Sequence, residues 1–222
     1  MSETLRILAV GDCEVPYLWD YYQPGRLDGI DLILAAGDLD PDYLSFLSTF
    51  CHGPVLYVHG NHDTKYAEHP PEGCECVEGR VYRYKGLRIV GLGGSIRYNQ
   101  GEHQYTEAQM ARRIRKLTIP IRMAGGCDIL LTHSPAFGLH DGEDAAHRGF
   151  RCFTKFLDVF QPKCFVHCHV HASYGEAFTR TDQYNGTRVI NAYERYVFDV
   201  PLPEESTVTK VHGLSRERRR DQ

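Results

Sequence analysis

Three segments near the start of the chain constrain its fold most. Residues 5–10, 31–36 and 54–59 are short, almost unbroken apolar runs, and they stop at Gly11-Asp12, Gly37-Asp38 and Gly60-Asn61-His62-Asp63. Continuous apolar runs of this length are the pattern of strands buried on both faces. Between the second and third, Pro41 precedes Tyr43, Leu44, Phe46, Leu47 and Phe50. A proline in a first turn with apolar residues three and four apart predicts a helix. Thr106 and Gln109 form a capping-box pattern, so a helix opens there and is expected to end near Pro120. An amphipathic helix is expected over residues 145–160, stopping before Pro162. Residues 80–84 and 87–92 flank Lys85-Gly86 and read as a hairpin. Residues 128–131, 163–166, 188–190 and 195–200 read as further strands. The pattern is α/β: a mixed sheet arrangement covered by helices. With no repeat or linker visible, residues 1–203 are read as one domain. Residues 204–222 are expected to form a partly disordered tail, carrying Arg216, Arg218, Arg219 and Arg220.

Composition excludes several classes. The 222 residues suffice for a large core without metal or disulfide staples. A formal charge of −4 gives no general attraction to nucleic acid or anionic lipid. No stretch approaches the ~20 apolar residues of a membrane helix. Neither a nucleic acid nor a membrane is therefore an expected partner. The eight cysteines come without a secretory segment, so a cytoplasmic setting with reduced thiols is expected.

The chemistry is positional. Five expected strands end in residues of metal-ligand type: Asp12, Asp38, Asn61 with His62, His133, and His169 with His171. In open α/β sheets, ligands bind beyond the carboxyl ends of the strands. Oxygen and imidazole donors without thiolate suit Mn, Fe or Zn, and there are more of them than one ion requires. A shared carboxylate can hold two ions about 3.5–4 Å apart, as in two-metal phosphatase sites. Competing readings are weaker. Cys74, Cys76, Cys164 and Cys168 lack zinc-finger spacing, because His169 and His171 are separated by one residue. Gly91-Leu92-Gly93-Gly94 is not a dinucleotide fingerprint, and no Gly-x-Ser-x-Gly elbow exists. His59 carries no such context and is read as structural.

Taken in order, Gly11-Asp12, Gly37-Asp38-Leu39-Asp40, Gly60-Asn61-His62-Asp63, Thr132-His133 and His169-Val170-His171 resemble the motifs of the calcineurin-like metallophosphoesterase family. The resemblance implies a β-sandwich flanked by helices (αββα). It implies a hydrolase of phosphate esters using two divalent ions, with Mn favoured over Fe or Zn, and a metal-bridging hydroxide. It also implies roles residue by residue. Asp38 matches the bridging aspartate, Asp12 and His171 ligands of the first metal, and Asn61, His133 and His169 ligands of the second. His62 matches the catalytic histidine and Asp63 the carboxylate that orients it. Two positions depart from the family pattern. Glu14 stands where the family has histidine; it replaces the imidazole as an oxygen ligand, or it points away and the first metal is weak or absent. Cys168 stands in place of a glycine and is read as a neutral filler. Arg97 and Asn99, in a polar aromatic loop, are candidate substrate contacts. The expected substrate is a small phosphodiester or phosphomonoester. The alternative is a degenerate scaffold protein of the same fold with one metal or none.

Overall fold

The computed structural model describes residues 3–171 and 178–203; the tail expected at 204–222 lies outside them. The first half runs β1 (Thr4–Gly11), β2 (Leu32–Ala35), α1 (Pro41–Phe50), β3 (Val55–Tyr57), β4 (Cys74–Cys76), β5 (Val81–Tyr84), β6 (Leu87–Leu92), β7 (Ser95–Ile96) and β8 (Gln104–Tyr105). The second half runs α2 (Glu107–Ala124), β9 (Ile129–Thr132), α3 (Arg151–Phe160), β10 (Cys164–His167), β11 (Thr181–Tyr184), β12 (Thr187–Asn191) and β13 (Glu194–Pro201). One sheet has the order β13-β1-β2-β3-β4, and a second has β11-β12-β10-β9-β6-β5. β1, β2 and β3 run parallel, as do β6, β9 and β10, while β13 and β5 close edges antiparallel.

The period of two along each strand explains how the sheets stack. From β1, Leu5, Ile7 and Ala9 enter a core between the sheets, where they join Ile129, Leu131 and Val166. Leu8 and Val10 point the other way, beneath Tyr43, Leu44 and Leu47 of α1. On the second sheet, Leu130 and Phe165 face outward against Met110 and Ile121 of α2 and Phe153 and Phe156 of α3. The result is the expected order of layers: helix, sheet, sheet, helix. Among the described residues, no helix is long and apolar enough to cross a membrane.

Two helix limits differ from the sequence expectation. α2 opens at the Thr106–Gln109 capping box but runs through Pro120 to a left-handed Gly125. The proline removes one helical N–H, whose acceptor would be the carbonyl of Lys116 four residues back; both residues are exposed, so water can serve that carbonyl. The helix expected over 145–160 begins only at Arg151. Residues 144–150 are held as a loop: Asp144 Oδ1 accepts the N–H groups of Ala146 and His147, and Phe150 is extended and bridges Ala136.

Asp128, just before β9, ties that strand to β6 of the same sheet. Its buried carboxylate accepts Arg88 N at 2.9 Å and Arg88 Nε at 2.6 Å. Burial raises its pKa, but the Arg88 hydrogen bonds outweigh burial and hold it below its ordinary value. A carboxyl lowered by folding stabilises the protein above its unfolded pKa, and that contribution fades as pH falls through the folded value. The wild-type chain should therefore lose stability as pH drops below about 4. Asp128→Asn should cost about 1–3 kcal/mol at neutral pH and flatten that acid slope, as read by urea unfolding across pH. An unchanged acid slope in the variant would contradict this role.

Candidate metal centre

The strand tips meet because glycines let them. Gly37 has φ 91°, and a Cβ there would stand 2.3 Å from Gly60 N; one on Gly60 would stand 2.0 Å from Asp38 Oδ1. Only glycine fits that contact, and it presses Asp38 against the loop carrying Asn61 and His62. Asp12, Asp38 and His169 themselves adopt φ of 60°, 55° and 72°. Left-handed backbone at non-glycine residues costs on the order of 1 kcal/mol or more each and concentrates at functional sites. Asp63 splices the two loops: its Oδ2 accepts Asp38 N at 2.9 Å and Gly60 N at 2.7 Å. That oxygen is thus committed to the backbone rather than to the His62 ring. Burial and the neighbouring Asp38 charge raise the Asp63 carboxyl to about 6.

One cluster of side chains presents lone pairs to a common point. His133 Nδ1 lies 2.8 Å from the Ala36 carbonyl, and His169 Nε2 lies 2.8 Å from the Ala146 carbonyl. A carbonyl only accepts, so those nitrogens carry the protons. That leaves His133 Nε2 and His169 Nδ1 as acceptors, 3.1 Å apart. Asn61 Nδ2 donates to Tyr98 Oη, which turns Asn61 Oδ1 inward, 3.0 Å from His133 Nε2. Asp38 Oδ2 stands 3.3 Å from the same nitrogen. Four acceptors converge on one another, an arrangement that a cation satisfies as a whole and a single proton only in part. The charges register the demand. Burial opposes protonation of His133, yet the Asp38 and Asp12 carboxylates raise it to about 9. Burial likewise works against the Asp38 carboxylate, but His133 and the His62 N–H hold it at about 2. Burial and the charge of His133 lower His169 to about 4.

Asp12 faces the same region from the other side. Its Oδ2 accepts His169 N at 2.7 Å and lies 3.3 Å from His171 Nε2. Its Oδ1 is buried and takes no hydrogen bond among the described residues. A buried carboxylate oxygen left unserved is what a bound cation would satisfy. Glu14 lines the same cavity of about 320 Å³ as Asp12, Asp38, Asp40, His62, Lys65 and His171. Its Oε1 accepts Asp40 N at 2.7 Å. His62 is exposed at the wall, its N–H donating to Asp38 Oδ1 at 2.7 Å. Cys168 is buried against Gly11, whose Cβ, if present, would lie 2.7 Å from its Sγ. Burial pushes its thiol well above the ordinary value, the state of a neutral filler.

The chain matches the family model for calcineurin-like phosphoesterase over residues 5–173. It belongs to that family. Solved structures agree on the fold. A structure of the protein TT1561 from Thermus thermophilus aligns at TM-score 0.56 and 14% identity, covering 86% of this chain and 90% of that one. Another solved chain aligns at TM-score 0.63 and 11% identity over 90% of this chain and 100% of its own. No curated protein sequence matches.

Within this calcineurin-like chain, Arg97 and Asn99 line a separate cavity of about 410 Å³ with Tyr98, Gln100 and Gly101. Asn99 Oδ1 accepts Gly101 N and Gln104 Nε2, and Arg97 Nη2 donates to the Gln104 carbonyl. These two side chains hold the loop together, and Tyr98 is what connects it to Asn61. Sequence reading missed the supports of the imidazoles. Ala36 and Ala146 contribute carbonyls, which no side-chain pattern signals. His147, whose ring lies 5.3 Å from that of His169, fell inside a segment expected to be helical.

Proposed function

We propose that the chain is a metal-dependent hydrolase of small phosphate esters, a phosphodiester or a phosphomonoester. The observation that carries the reading is the convergence of acceptors from Asp38, Asn61, His133 and His169, with His62 at the wall of the same cavity. Asp38, Asn61, His133 and His169 would hold one divalent ion; Asp12, Glu14 and His171 would hold another, sharing Asp38. Mn is favoured, with Fe or Zn compatible with the same donors. When bound, such ions supply a water acidic enough to be the nucleophile at neutral pH and neutralise charge on the phosphoryl oxygens.

The chain's own residues account for the rest. Among the described residues, the cavity is lined by the carboxylates of Asp12, Glu14, Asp38, Asp40 and Asp63, against one lysine, Lys65. That lining repels a phosphate ester on its own, so substrate binding should depend on metal. His62 would give a proton to the leaving oxygen, and its backbone N–H bond to Asp38 Oδ1 ties its loop to the ligand set. The αββα scaffold carries Asp12, Asp38, Asn61, His133 and His169 on loops just past strand ends, which limits how far their spacing can vary.

One observation favours a second reading, a scaffold with one ion or none: Glu14 replaces an imidazole and already spends an oxygen on Asp40 N. Hydrolysis of bis-p-nitrophenyl phosphate and p-nitrophenyl phosphate with Mn, Fe or Zn separates the two. Turnover that a chelator abolishes supports the hydrolase. Metal uptake without turnover on either ester supports the scaffold. If Glu14 is a ligand, Glu14→Gln should weaken one ion's affinity by at least about tenfold, the lower bound for groups that only orient a ligand.

A further inference from the structure

A second group of metal-ligand side chains lies where the chain passes from one sheet to the other. His59 follows β3, Cys76 ends β4, and Glu78 follows it; each offers a ligand atom within 4.8 Å of the others. His59 Nδ1 is 2.7 Å from Glu78 Oε2, and both side chains are mostly buried, at 20% and 13% exposed. Glu78 bridges Gly91 of β6, and Gly79 N donates to the Gly91 carbonyl at 2.9 Å. The cluster therefore sits on the joint between the two sheets. The ring of His103 stacks on that of His59, with centroids 4.5 Å apart and planes 7° apart. Arg113 pairs with Glu78 Oε1 and donates to the Gly93 carbonyl, which leaves Oε2 on the His59 side.

We infer that His59, Cys76 and Glu78 form a zinc site separate from the phosphoesterase centre, clamping the β3–β4 edge to the end of β6. The donor set decides the metal. One thiolate, one imidazole and one carboxylate is a softer set than the all-oxygen-and-imidazole centre, and it matches the three protein ligands of an open zinc site. The cysteine spacing in the sequence excludes a finger, yet the fold supplies the missing partners from β3 and from the β4–β5 turn.

Cobalt is the probe, since it takes zinc sites and a thiolate bound to it absorbs in the near ultraviolet. The full chain titrated with Co²⁺ should develop that charge-transfer absorption. It should be lost in Cys76→Ser and retained in Cys74→Ala. The unaltered chain gives an independent reading that does not depend on the variants folding. Zn²⁺ should slow iodoacetamide labelling of Cys76 by at least about tenfold while leaving Cys74 unchanged, because a metal-bound thiolate is a poor nucleophile. Absence of the absorption, its persistence in Cys76→Ser, or equal labelling of Cys76 with and without Zn²⁺ would overturn the assignment. Both readouts are independent of phosphoesterase activity, so failure here leaves the main centre untouched.

Discussion

Asp38→Asn should lose most bound metal and lower turnover by about a thousandfold or more. The charge stabilisation supplied by the ions is worth several kcal/mol, and each ~1.4 kcal/mol is a factor of ten. Asparagine keeps an oxygen for the His62 N–H, which Asp38 Oδ1 now accepts at 2.7 Å, so the loop contact survives. What it removes is the negative charge facing His133 Nε2 at 3.3 Å. Burial then dominates at His133, and its pKa should fall from about 9. The thermal unfolding midpoint of the metal-free variant should fall modestly, because the charge pair of Asp38 with His133 is lost, while metal content, read by mass spectrometry, drops far more. Full metal occupancy in this variant would remove Asp38 from the centre.

His62→Ala should behave in the opposite way, keeping metal and losing rate. The side chain is exposed, and the bond that matters to the loop is made by its backbone, so fold and ligand geometry should persist. A proton donor positioned for the leaving group contributes about 10²–10⁴-fold. The loss should depend on the substrate. p-Nitrophenolate departs without a proton, so its ester should show the smaller decrease; an alkyl phosphate ester needs protonation and should show the larger one. An equal decrease for both esters would assign His62 to phosphate binding, and a loss of metal would make it a ligand.

Much of this centre is legible in the sequence because the signals are local. Unbroken apolar runs mark the buried strands β1, β2 and β3, and a Gly-Asp or Gly-Asn step marks where each ends. The edge strands β4 and β11 were not legible for the same physical reason, whereas the edges β5 and β13 read as strands. β4 is Cys-Glu-Cys, only half-buried, and β11 is Thr-Asp-Gln-Tyr, mostly exposed; neither has an apolar run. Pro120 read as a stop because the local rule ignores that an exposed carbonyl can bond to water. The start of α3 read too early because alanine and arginine near residue 146 favour a helix, whereas the Asp144 turn and the extended Phe150 hold a loop. Asp63 illustrates a different limit. Its identity follows the family motif, but its partners, Asp38 N and Gly60 N, depend on two loops meeting across the sheet. The His59–Cys76–Glu78 cluster shows the same limit: spacing along the chain cannot reveal side chains that converge from two strands and a turn.

The most direct test is the Mn²⁺ content of the reconstituted chain, measured together with chelator-sensitive hydrolysis of bis-p-nitrophenyl phosphate. The geometry of Asp12, Asp38, Asn61, His133, His169 and His171 predicts about two ions per chain, as in two-metal phosphoesterases, and turnover that disappears with them. A chain that binds no Mn²⁺ and stays inactive after Mn, Fe or Zn is restored would contradict the central claim.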